Sequence, residues 1–224
     1  MNATPVVSPL LLRNVPLFSL LSEGQLQLLT RVLSRKSFPK NSAVIAAGDP
    51  TDALYIVISG RLKVIMSDNE GREVILANLS QGEFFGEMGL IDQAPRSATV
   101  TTIEPCELLT ITRTDFAKCL QGNFELSMNV MRGLVKRLRE ADKKIGSLAL
   151  MDVYGRVARL LMETAETVDG QRVVTKKLTK QDMTKTIGAS REMVSRVMKE
   201  LQTSGHIEVR AREILLRDSL ALIK

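Results

Sequence analysis

The middle of the chain alternates short apolar runs, rich in β-branched residues, with turns that contain glycine. Between Phe38 and Ile111 these runs are, in order, AVIAAG, LYIVISG, LKVIM, REVILANL, GEFFGEMG, SATVTTI and CELLTI. They are separated by turn sequences such as Gly48-Asp49, Ser59-Gly60 and Asn69-Glu70-Gly71. Short strands that recur about every ten residues predict an antiparallel barrel or roll.

The hydrophobic pattern changes to a helical one after the last of these runs. Arg113 to Gln121 predicts a short helix, and a longer helix begins at Phe124. Its apolar residues follow steps of three and four, the a/d seam of a two-stranded coiled coil. The seam consists of Met131, Leu134, Leu138, Ala141, Ile145 and Leu148. It predicts a homodimer, and the alternative is a single amphipathic helix that packs on its own domain.

A second, smaller α/β unit follows the long helix. A helix over 152–166 has one apolar face and is followed by the turn Asp169-Gly170. The face consists of Val153, Val157, Leu160, Leu161 and Ala165. These patterns predict an α+β protein with a β-roll over 1–122, a long helix over 123–150 and a small C-terminal domain over 151–224.

Two short helices are predicted in the C-terminal domain, Lys180 to Ile187 and Arg191 to Thr203. Thr179, with Asp182 three residues later, resembles an N-terminal capping box, and Ser190 is a good N-cap for the second helix. Gly188 supplies the positive φ that a tight turn requires. Apolar or small residues at Met183, Ile187, Ala189, Val194 and Val197 suit the packing of a helix-turn-helix.

The outer face of the second helix is polar and can read DNA bases. The expected contacts are Ser190, Arg191, Glu192, Ser195, Arg196 and Lys199, together with Lys180 of the first helix. Arginines suit guanine, Glu192 can accept from cytosine, and Lys180, Lys185 and Lys199 position phosphates. The alternative is an ordinary solvated helical hairpin.

The C-terminal segment HIEVRAREILLRD predicts a β-hairpin that forms a wing beside the helix pair. It contributes Arg210, Arg212 and Arg217, and His206 at its start is expected to be structural.

The charge of the chain supports a polyanionic partner. The net charge is +6. Residues 1–149 carry 17 Lys and Arg against 15 Asp and Glu, whereas residues 150–224 carry 14 against 10. Eight basic residues lie between Arg172 and Lys199, including Lys176 and Lys177, against only Asp182 and Glu192. A concentrated basic patch indicates nucleic-acid binding.

Composition excludes several other classes. The chain has 224 residues, of which 44% are hydrophobic and 25% charged, as in soluble globular proteins. We expect no metal site, because only two cysteines and one histidine are present. No apolar stretch reaches the length of a membrane span and the N-terminus lacks signal-peptide features, so we expect a cytoplasmic protein with no membrane partner. Cys106 and Cys119 are expected to be small buried hydrophobes, with redox sensing as a second choice.

The most specific chemistry of the first domain lies in GEFFGEMGL, at 82–90, and PRSATV, at 95–100. A glycine lets backbone amides approach an anion, a carboxylate can accept from a sugar hydroxyl, and an arginine can pair with a phosphate. The alternative is that Glu87 and Arg96 form a plain salt bridge that closes a hairpin.

These motifs, with KKIGSLALMDVYGRVARLL and GASREMVSRVMKEL, resemble the CRP/FNR family of transcription regulators over nearly the whole chain. The resemblance implies a cyclic-nucleotide-binding β-roll of double-stranded jelly-roll type, a long dimerisation helix and a winged helix-turn-helix. It implies that Gly86 and Glu87 bind phosphate and the ribose 2′-hydroxyl and that Arg96 and Ser97 hold the cyclic phosphate. It also implies that Leu76 lines the base pocket, that half-sites resemble TGTGA, and that RNA polymerase is a partner.

Three positions depart from the cAMP-binding members of the family. Where those members have a serine in the roll and a Thr-Ser pair on the dimerisation helix, this chain has Ala77, Ala141 and Asp142. Asp142 can accept from an adenine amino group or pair with a guanine, and the alternative is an exposed helix residue. The expected ligand is a cyclic purine nucleotide, first cAMP, with cyclic di-GMP as the rival because some family members answer to it.

The resulting expectation is a ligand-controlled, homodimeric regulator that binds double-stranded DNA and is not an enzyme. A nucleotide-processing enzyme is disfavoured, because no metal cluster or general base is visible beside Glu87 and Arg96. A third hypothesis keeps the fold but makes the roll purely structural, which gives a ligand-independent DNA-binding dimer.

Overall fold

The computed structural model describes residues 7–175, 178–210 and 213–222, so Lys176, Lys177 and Arg212 lie outside the described residues. The chain forms two compact units, Met1–Arg137 and Leu138–Lys224. None of the helices in the described ranges is both long and apolar enough to cross a membrane.

The first unit combines helices with a β-roll. Its helices are α1 (Pro9–Arg13), α2 (Glu23–Val32), α3 (Met88–Ile91), α4 (Arg113–Gln121) and the start of α5 (Phe124–Leu150), with a 3-10 turn at Pro16–Phe18. Its strands are β1 (Ser34–Phe38), β2 (Ala43–Ile45), β3 (Ala53–Ser59), β4 (Leu62–Ser67), β5 (Glu73–Leu79), β6 (Phe84–Phe85), β7 (Thr99–Thr102) and β8 (Cys106–Thr112).

Two antiparallel four-stranded sheets form the predicted roll. Their strand orders are β1-β8-β3-β6 and β2-β7-β4-β5. Strand β3 is buried on both faces, which explains its continuous apolar sequence. Leu54, Ile56 and Ile58 belong to the core that includes the helices, whereas Tyr55 and Val57 belong to the core formed by residues of both sheets. The roll is therefore a sandwich whose first sheet also packs on helices.

The strand prediction differs from the structure at two points. The first strand begins at Ser34, before the predicted start at Phe38, and GEFFGEMG contains only the two-residue strand β6 followed by α3. Strand β1 has a largely polar sequence, because it is an edge strand that pairs only with β8. The helix α3 follows Gly86, whose φ of 84° ends the strand direction.

Helix α5 begins on the first unit and extends into the second. Leu126 and Val130 are buried in the first core and Leu134 packs partly against it. Farther along, Leu138, Ile145 and Leu148 are exposed in the single chain. The alternative of a helix packed on its own domain therefore holds for the first turns only.

The second unit contains α6 (Val153–Thr164), β9 (Glu166–Val168), β10 (Gln171–Val174), α7 (Lys180–Ile187), α8 (Arg191–Thr203), β11 (Ile207–Val209), β12 (Ile214–Leu216) and a 3-10 turn at Asp218–Leu222. Its sheet order is β11-β12-β10-β9. The predicted helix 152–166 is shorter, because Asp152 is the N-cap and Glu166 already belongs to β9. The predicted wing hairpin is β11–β12.

The helix pair α7–α8 has the bounds that the sequence predicted. The Thr179 and Ser190 hydroxyls accept from the backbone amides of Asp182 and Met193, which caps both helices. Gly188 has a φ of 65°, and the Arg156 guanidinium donates to the adjacent Ile187 carbonyl at 2.7 Å. The capping box is incomplete, since the Asp182 carboxylate accepts from the Thr179 hydroxyl rather than from its backbone amide. The turn and the caps hold the second helix at a fixed angle to the first.

Candidate ligand site and nucleic-acid interface

Two loops, one from each sheet of the roll, meet at Arg96. Gly86 and Glu87 follow β6 of the first sheet, while Arg96 and Ser97 precede β7 of the second. The Arg96 guanidinium donates from Nη1 to the Gly86 carbonyl at 2.9 Å, and the Ser97 hydroxyl contacts the Met88 sulfur at 3.7 Å. The structure thus brings together Gly86, Glu87, Arg96 and Ser97, which are four of the predicted ligand residues. We call these four residues, together with Asp52 and Ala53, the Arg96 site.

Arg96 is a buried cation held by backbone and by one carboxylate. Its Nη2 donates to the Ala53 carbonyl at 2.8 Å and to Asp52 Oδ1 at 3.0 Å. The ring of Tyr55 lies 5.8 Å from the guanidinium carbon. Burial, and then the charge of Asp52, raise the pKa of Tyr55, whereas Arg96 lowers it. Both charges of this ion pair therefore affect the pKa of the Tyr55 hydroxyl.

Glu87 is a buried carboxylate with one oxygen free to accept. Glu87 is 1% exposed, and its Oε1 accepts a hydrogen bond from Arg137 Nη1 at 2.5 Å. The other oxygen, Oε2, is buried and has no hydrogen-bond partner among the residues that the structure describes. A buried carboxylate oxygen without a donor is costly, so this atom suits a hydroxyl supplied by a ligand.

The alternative in which Glu87 and Arg96 pair with each other is wrong. Arg96 pairs with Asp52, and Glu87 pairs with Arg137. Sequence reasoning missed both partners. Arg137 also donates to the Phe84 carbonyl, and its guanidinium carbon lies 4.9 Å from the Phe84 ring centroid. Arg137 thereby connects Glu87 to helix α5.

The remaining predicted ligand residues lie elsewhere. Leu76 is on β5, two strands away from β7 in the same sheet, and its side chain is partly exposed. Ala77 is its neighbour, opposite Val64 of β4. Asp142 belongs to the second unit, where it is an exposed residue of α5, as is Ala141.

The Arg96 site itself combines a buried cation with a carboxylate acceptor, a pair that suits a phosphate linked to a sugar.

The outer face of α8 has the exposure that base reading requires. Arg191, Glu192, Arg196 and Lys199 are exposed and Ser195 is half-buried, while Val194 and Val197 on the opposite face are buried. Hydrogen bonds from its own backbone amide and from the Ser190 hydroxyl hold the pKa of Glu192 below its usual range. Glu192 therefore stays an ionised acceptor.

Three cations on this face lack an ion-pair partner in the described part of the chain. Arg191, Arg196 and Lys199 form no ion pair with any residue of the described ranges. Lys180, at the exposed start of α7, forms none there either. In the wing, by contrast, Arg210 and Arg217 each pair with Glu208 at 2.9 Å. The unpaired positive charge of the helix pair therefore belongs to α7 and α8 and not to the described wing.

The predicted seam of α5 is apolar and mostly exposed in the single chain. Exposed fractions are 47% for Met131, 62% for Leu138, 64% for Ile145 and 56% for Leu148. Val135, which the sequence pattern did not include, is 49% exposed. Large exposed apolar side chains at a regular helical spacing indicate a partner surface.

Cys106 is buried, as predicted, whereas Cys119 is only partly buried at the edge of the first core. Burial raises the pKa of the Cys106 and Cys119 thiols, which keeps them protonated. His206 Nδ1 forms a hydrogen bond with the Ser219 hydroxyl at 2.8 Å, which ties the wing to the last described turn.

Comparison with known families matches both units. Residues 35–123 match the cyclic nucleotide-binding domain, and residues 155–224 match the Crp-like helix-turn-helix domain. The first match contains the Arg96 site, and the second contains α7, α8 and the wing.

Individual relatives agree with the domain matches. The chain is 33% identical over 192 residues to the cAMP-activated global transcriptional regulator Vfr of Pseudomonas aeruginosa, which covers 81% of this chain and 88% of Vfr. It is 34% identical over 186 residues to the cAMP-activated global transcriptional regulator CRP of Pasteurella multocida, covering 80% and 88%. Among solved structures it is similar to the c-di-GMP responsive global regulator CLP of Xanthomonas campestris, with a TM-score of 0.73 and 30% identity, covering 87% of this chain and 99% of CLP.

These matches and the observed architecture lead to one family. The chain has a cyclic-nucleotide-binding β-roll, a long helix and a helix-turn-helix domain in that order. The protein therefore belongs to the CRP/FNR family of transcription regulators, whose members are ligand-responsive and bind DNA.

Proposed function

We propose that the protein is a homodimeric regulator in which a cyclic purine nucleotide at the Arg96 site controls sequence-specific binding to double-stranded DNA. The observation that carries the proposal is the pair of buried charges. Arg96 can hold a cyclic phosphate, and Glu87 Oε2 is a buried acceptor to which no described residue donates. A ribose 2′-hydroxyl supplies such a donor. One cyclic nucleotide satisfies both groups.

Each predicted site residue has a role in this proposal. The backbone at Gly86 and the Ser97 hydroxyl accompany Arg96 at the phosphate, and Leu76 contacts the base. Asp142 contributes to the choice of base through its carboxylate. The regulator acts by binding and does not transform the nucleotide, so analysis of the nucleotide after incubation is expected to recover it unchanged.

The first candidate ligand is cAMP and the second is cyclic di-GMP. Relatives named as cAMP-activated regulators favour cAMP, while the similarity to CLP, named as responsive to c-di-GMP, favours the other. Ala77, Ala141 and Asp142 replace the hydroxyl groups that cAMP-binding members use, which also favours a different base contact. Because phosphate and ribose are common to both ligands, the Arg96 site serves either.

The DNA-binding part of the proposal places α8 in the major groove. Ser190, Arg191, Glu192, Ser195 and Arg196 read bases, and Lys180 and Lys199 contact phosphates. Two copies joined along the α5 seam present two reading helices, and successive major grooves on one side of DNA lie about 34 Å apart. The expected target is a pseudo-palindrome with half-sites that resemble TGTGA, at promoters where the dimer contacts RNA polymerase.

The test is a calorimetric titration of the purified protein with cAMP, cGMP and cyclic di-GMP in parallel. We expect saturable binding of cAMP with about one nucleotide per chain, since a chain of this size has few ligand sites. Binding of cyclic di-GMP alone would make Ala77, Ala141 and Asp142 the specificity determinants. Absence of binding by all three would refute nucleotide control and leave the DNA-binding dimer with a structural roll.

A further inference from the structure

The ion pair at Arg96 joins a buried cation to an exposed anion. The side chain of Arg96 is 3% exposed, whereas that of Asp52 is 78% exposed. A carboxylate in that position can rotate into solvent, because water solvates it there. The Arg96 guanidinium cannot rotate into solvent in this way, because it is buried.

Arg96 is held in place without Asp52. Its side chain donates to the Gly86 carbonyl at 2.9 Å and to the Ala53 carbonyl at 2.8 Å, from two different nitrogens. Its own backbone amide donates to the Asp49 carbonyl at 2.9 Å. Removal of the Asp52 carboxylate therefore leaves the orientation of the guanidinium intact and removes the charge that compensates it.

Only the side chain of Asp52 is free to move. Its backbone carbonyl accepts from the Arg113 amide at 2.8 Å, and the next residue, Ala53, begins β3 opposite Thr112 of β8. Rotation of the side chain alone is thus enough to release Arg96 Nη2. No rearrangement of the sheet is required.

A phosphate and the Asp52 carboxylate compete for the N–H donors of the Arg96 guanidinium. The two hydrogens of Arg96 Nη2 are donated to Ala53 and Asp52. A phosphate that pairs with this guanidinium meets the carboxylate at close range, and two anions that face one buried cation repel each other. One of them has to leave.

We propose that Asp52 is an internal competitor of the ligand: its carboxylate occupies Arg96 in the empty site and is displaced into solvent by the phosphate. This inference rests on the proposed function, since it assigns the phosphate to Arg96. Asp52 thereby lowers the affinity for nucleotide without contacting it in the bound state, and it compensates the buried charge of Arg96 in the empty state.

The test compares Asp52→Asn with Asp49→Asn. Both substitutions remove one negative charge from the same loop with the same change of shape. The Asp49 side chain, however, has no hydrogen bond or ion pair with any residue that the structure describes.

By calorimetry with cAMP and with cyclic di-GMP, we expect Asp52→Asn to bind about 10-fold more tightly than the wild type, because it removes a charge-assisted contact that the phosphate has to break. Asp49→Asn should change affinity less than about 3-fold. Equal affinities of the two variants would overturn the inference, and weaker binding by Asp52→Asn would make Asp52 a positioning residue instead.

A second measurement tests the competition without a nucleotide. Inorganic phosphate is titrated against the wild type and both variants at constant ionic strength with sodium chloride, and the unfolding temperature is followed. We expect phosphate to raise this temperature more in Asp52→Asn than in Asp49→Asn, and the difference to vanish when Arg96→Leu is added to each. Equal rises would contradict the inference. If the wild type bound none of the nucleotides, the proposed function would fail while this measurement still decided the competition.

Discussion

Among single residues, buried charge distinguishes the proposed ligand site. Glu87 and Arg96 are the only charged residues that are buried in the described part of the chain. A buried charge costs free energy unless partners compensate it, and folds concentrate such groups at functional sites. This cost falls on the two residues to which the proposal assigns the ligand.

The sequence was sufficient to identify these two residues but not their partners. Gly86 with Glu87, and Arg96 with Ser97, occur in short motifs whose residue types indicate phosphate and sugar binding. Asp52 is 44 residues away from Arg96 in the sequence, and Arg137 is 50 residues away from Glu87. Contacts over such distances depend on the pairing of β3, β6 and β8 and on the position of α5, which no local pattern records.

Arg96→Leu is expected to abolish nucleotide binding without unfolding the protein. Loss of a charge-assisted contact to phosphate should lower affinity at least ~100-fold. The control is Arg72→Leu, because Arg72 is an exposed residue whose ion pairs are with Asp68 and Glu70. Calorimetry measures affinity and circular dichroism measures folding. Wild-type affinity in a folded Arg96→Leu protein would remove Arg96 from the site.

Gly86→Ala is expected to damage both stability and binding. Gly86 has a φ of 84°, and a Cβ there would collide with Arg96 Nη1 and lie 3.1 Å from the Ala53 carbonyl. Gly71→Ala is a matched control, since its φ is 76° and nothing lies within 4 Å of the added Cβ. Both variants should lose about 1–2 kcal/mol of unfolding free energy, but only Gly86→Ala should also lose nucleotide affinity. Unchanged affinity in Gly86→Ala would show that the guanidinium position does not matter.

At the scale of elements, prediction succeeded where local signals define the boundaries. The bounds of α4, α7 and α8 were predicted correctly, since a hydroxyl side chain caps each at its N-terminus and glycine follows α4 and α7. The first strand was missed because β1 is a polar edge strand. Helix α3 was taken for part of a strand because its four residues are too few for a helical period. Tertiary context decides such segments.

The reading helix can be tested by separating base contacts from phosphate contacts. Arg196→Ala is expected to cost about 1–3 kcal/mol of binding to the specific site and much less on random DNA, as expected for an arginine that reads a base. Lys180→Ala should weaken both by a similar factor and reduce the salt dependence of binding. Fluorescence anisotropy with both DNAs provides the comparison. Equal losses for Arg196→Ala on the two DNAs would make Arg196 a phosphate contact.

The long helix can be tested by placing a charge on its apolar seam. Leu138→Glu is expected to weaken self-association by more than ~3 kcal/mol, since two unpaired carboxylates would be buried between the copies. Arg139→Glu, one residue farther along the same helix and outside the seam, is the control. Analytical ultracentrifugation measures the association. A dimer of unchanged stability in Leu138→Glu would place the interface elsewhere.

At the scale of the whole molecule, the sequence already divides two tasks between two units. The larger excess of positive charge lies in residues 150–224, with 14 Lys and Arg against 10 Asp and Glu, and the candidate ligand chemistry lies in residues 82–97 of the β-roll. Helix α5 belongs to both units, and Arg137 ties its first half to Glu87. In the proposed function, a nucleotide at Glu87 therefore acts on the contact between Glu87 and Arg137 of α5.

Control of this kind is reciprocal. If a nucleotide changes the affinity for DNA by some factor, DNA changes the affinity for the nucleotide by the same factor, which for such couplings is about 5- to 150-fold. Calorimetric titration of nucleotide into protein alone and into its complex with specific DNA should therefore give the factor found in DNA titrations. The same nucleotide affinity with and without the specific DNA would contradict control of DNA binding by the nucleotide.

Nucleotide control of DNA binding is tested by the affinity for a labelled pseudo-palindromic DNA with and without saturating nucleotide, in the wild type and in Arg96→Leu. We predict that the nucleotide changes the affinity of the wild type by at least ~5-fold, leaves its binding to random DNA unchanged and has no effect on Arg96→Leu. The same affinity for the specific site with and without cAMP, cGMP and cyclic di-GMP would contradict the account and make the protein a constitutive DNA-binding dimer.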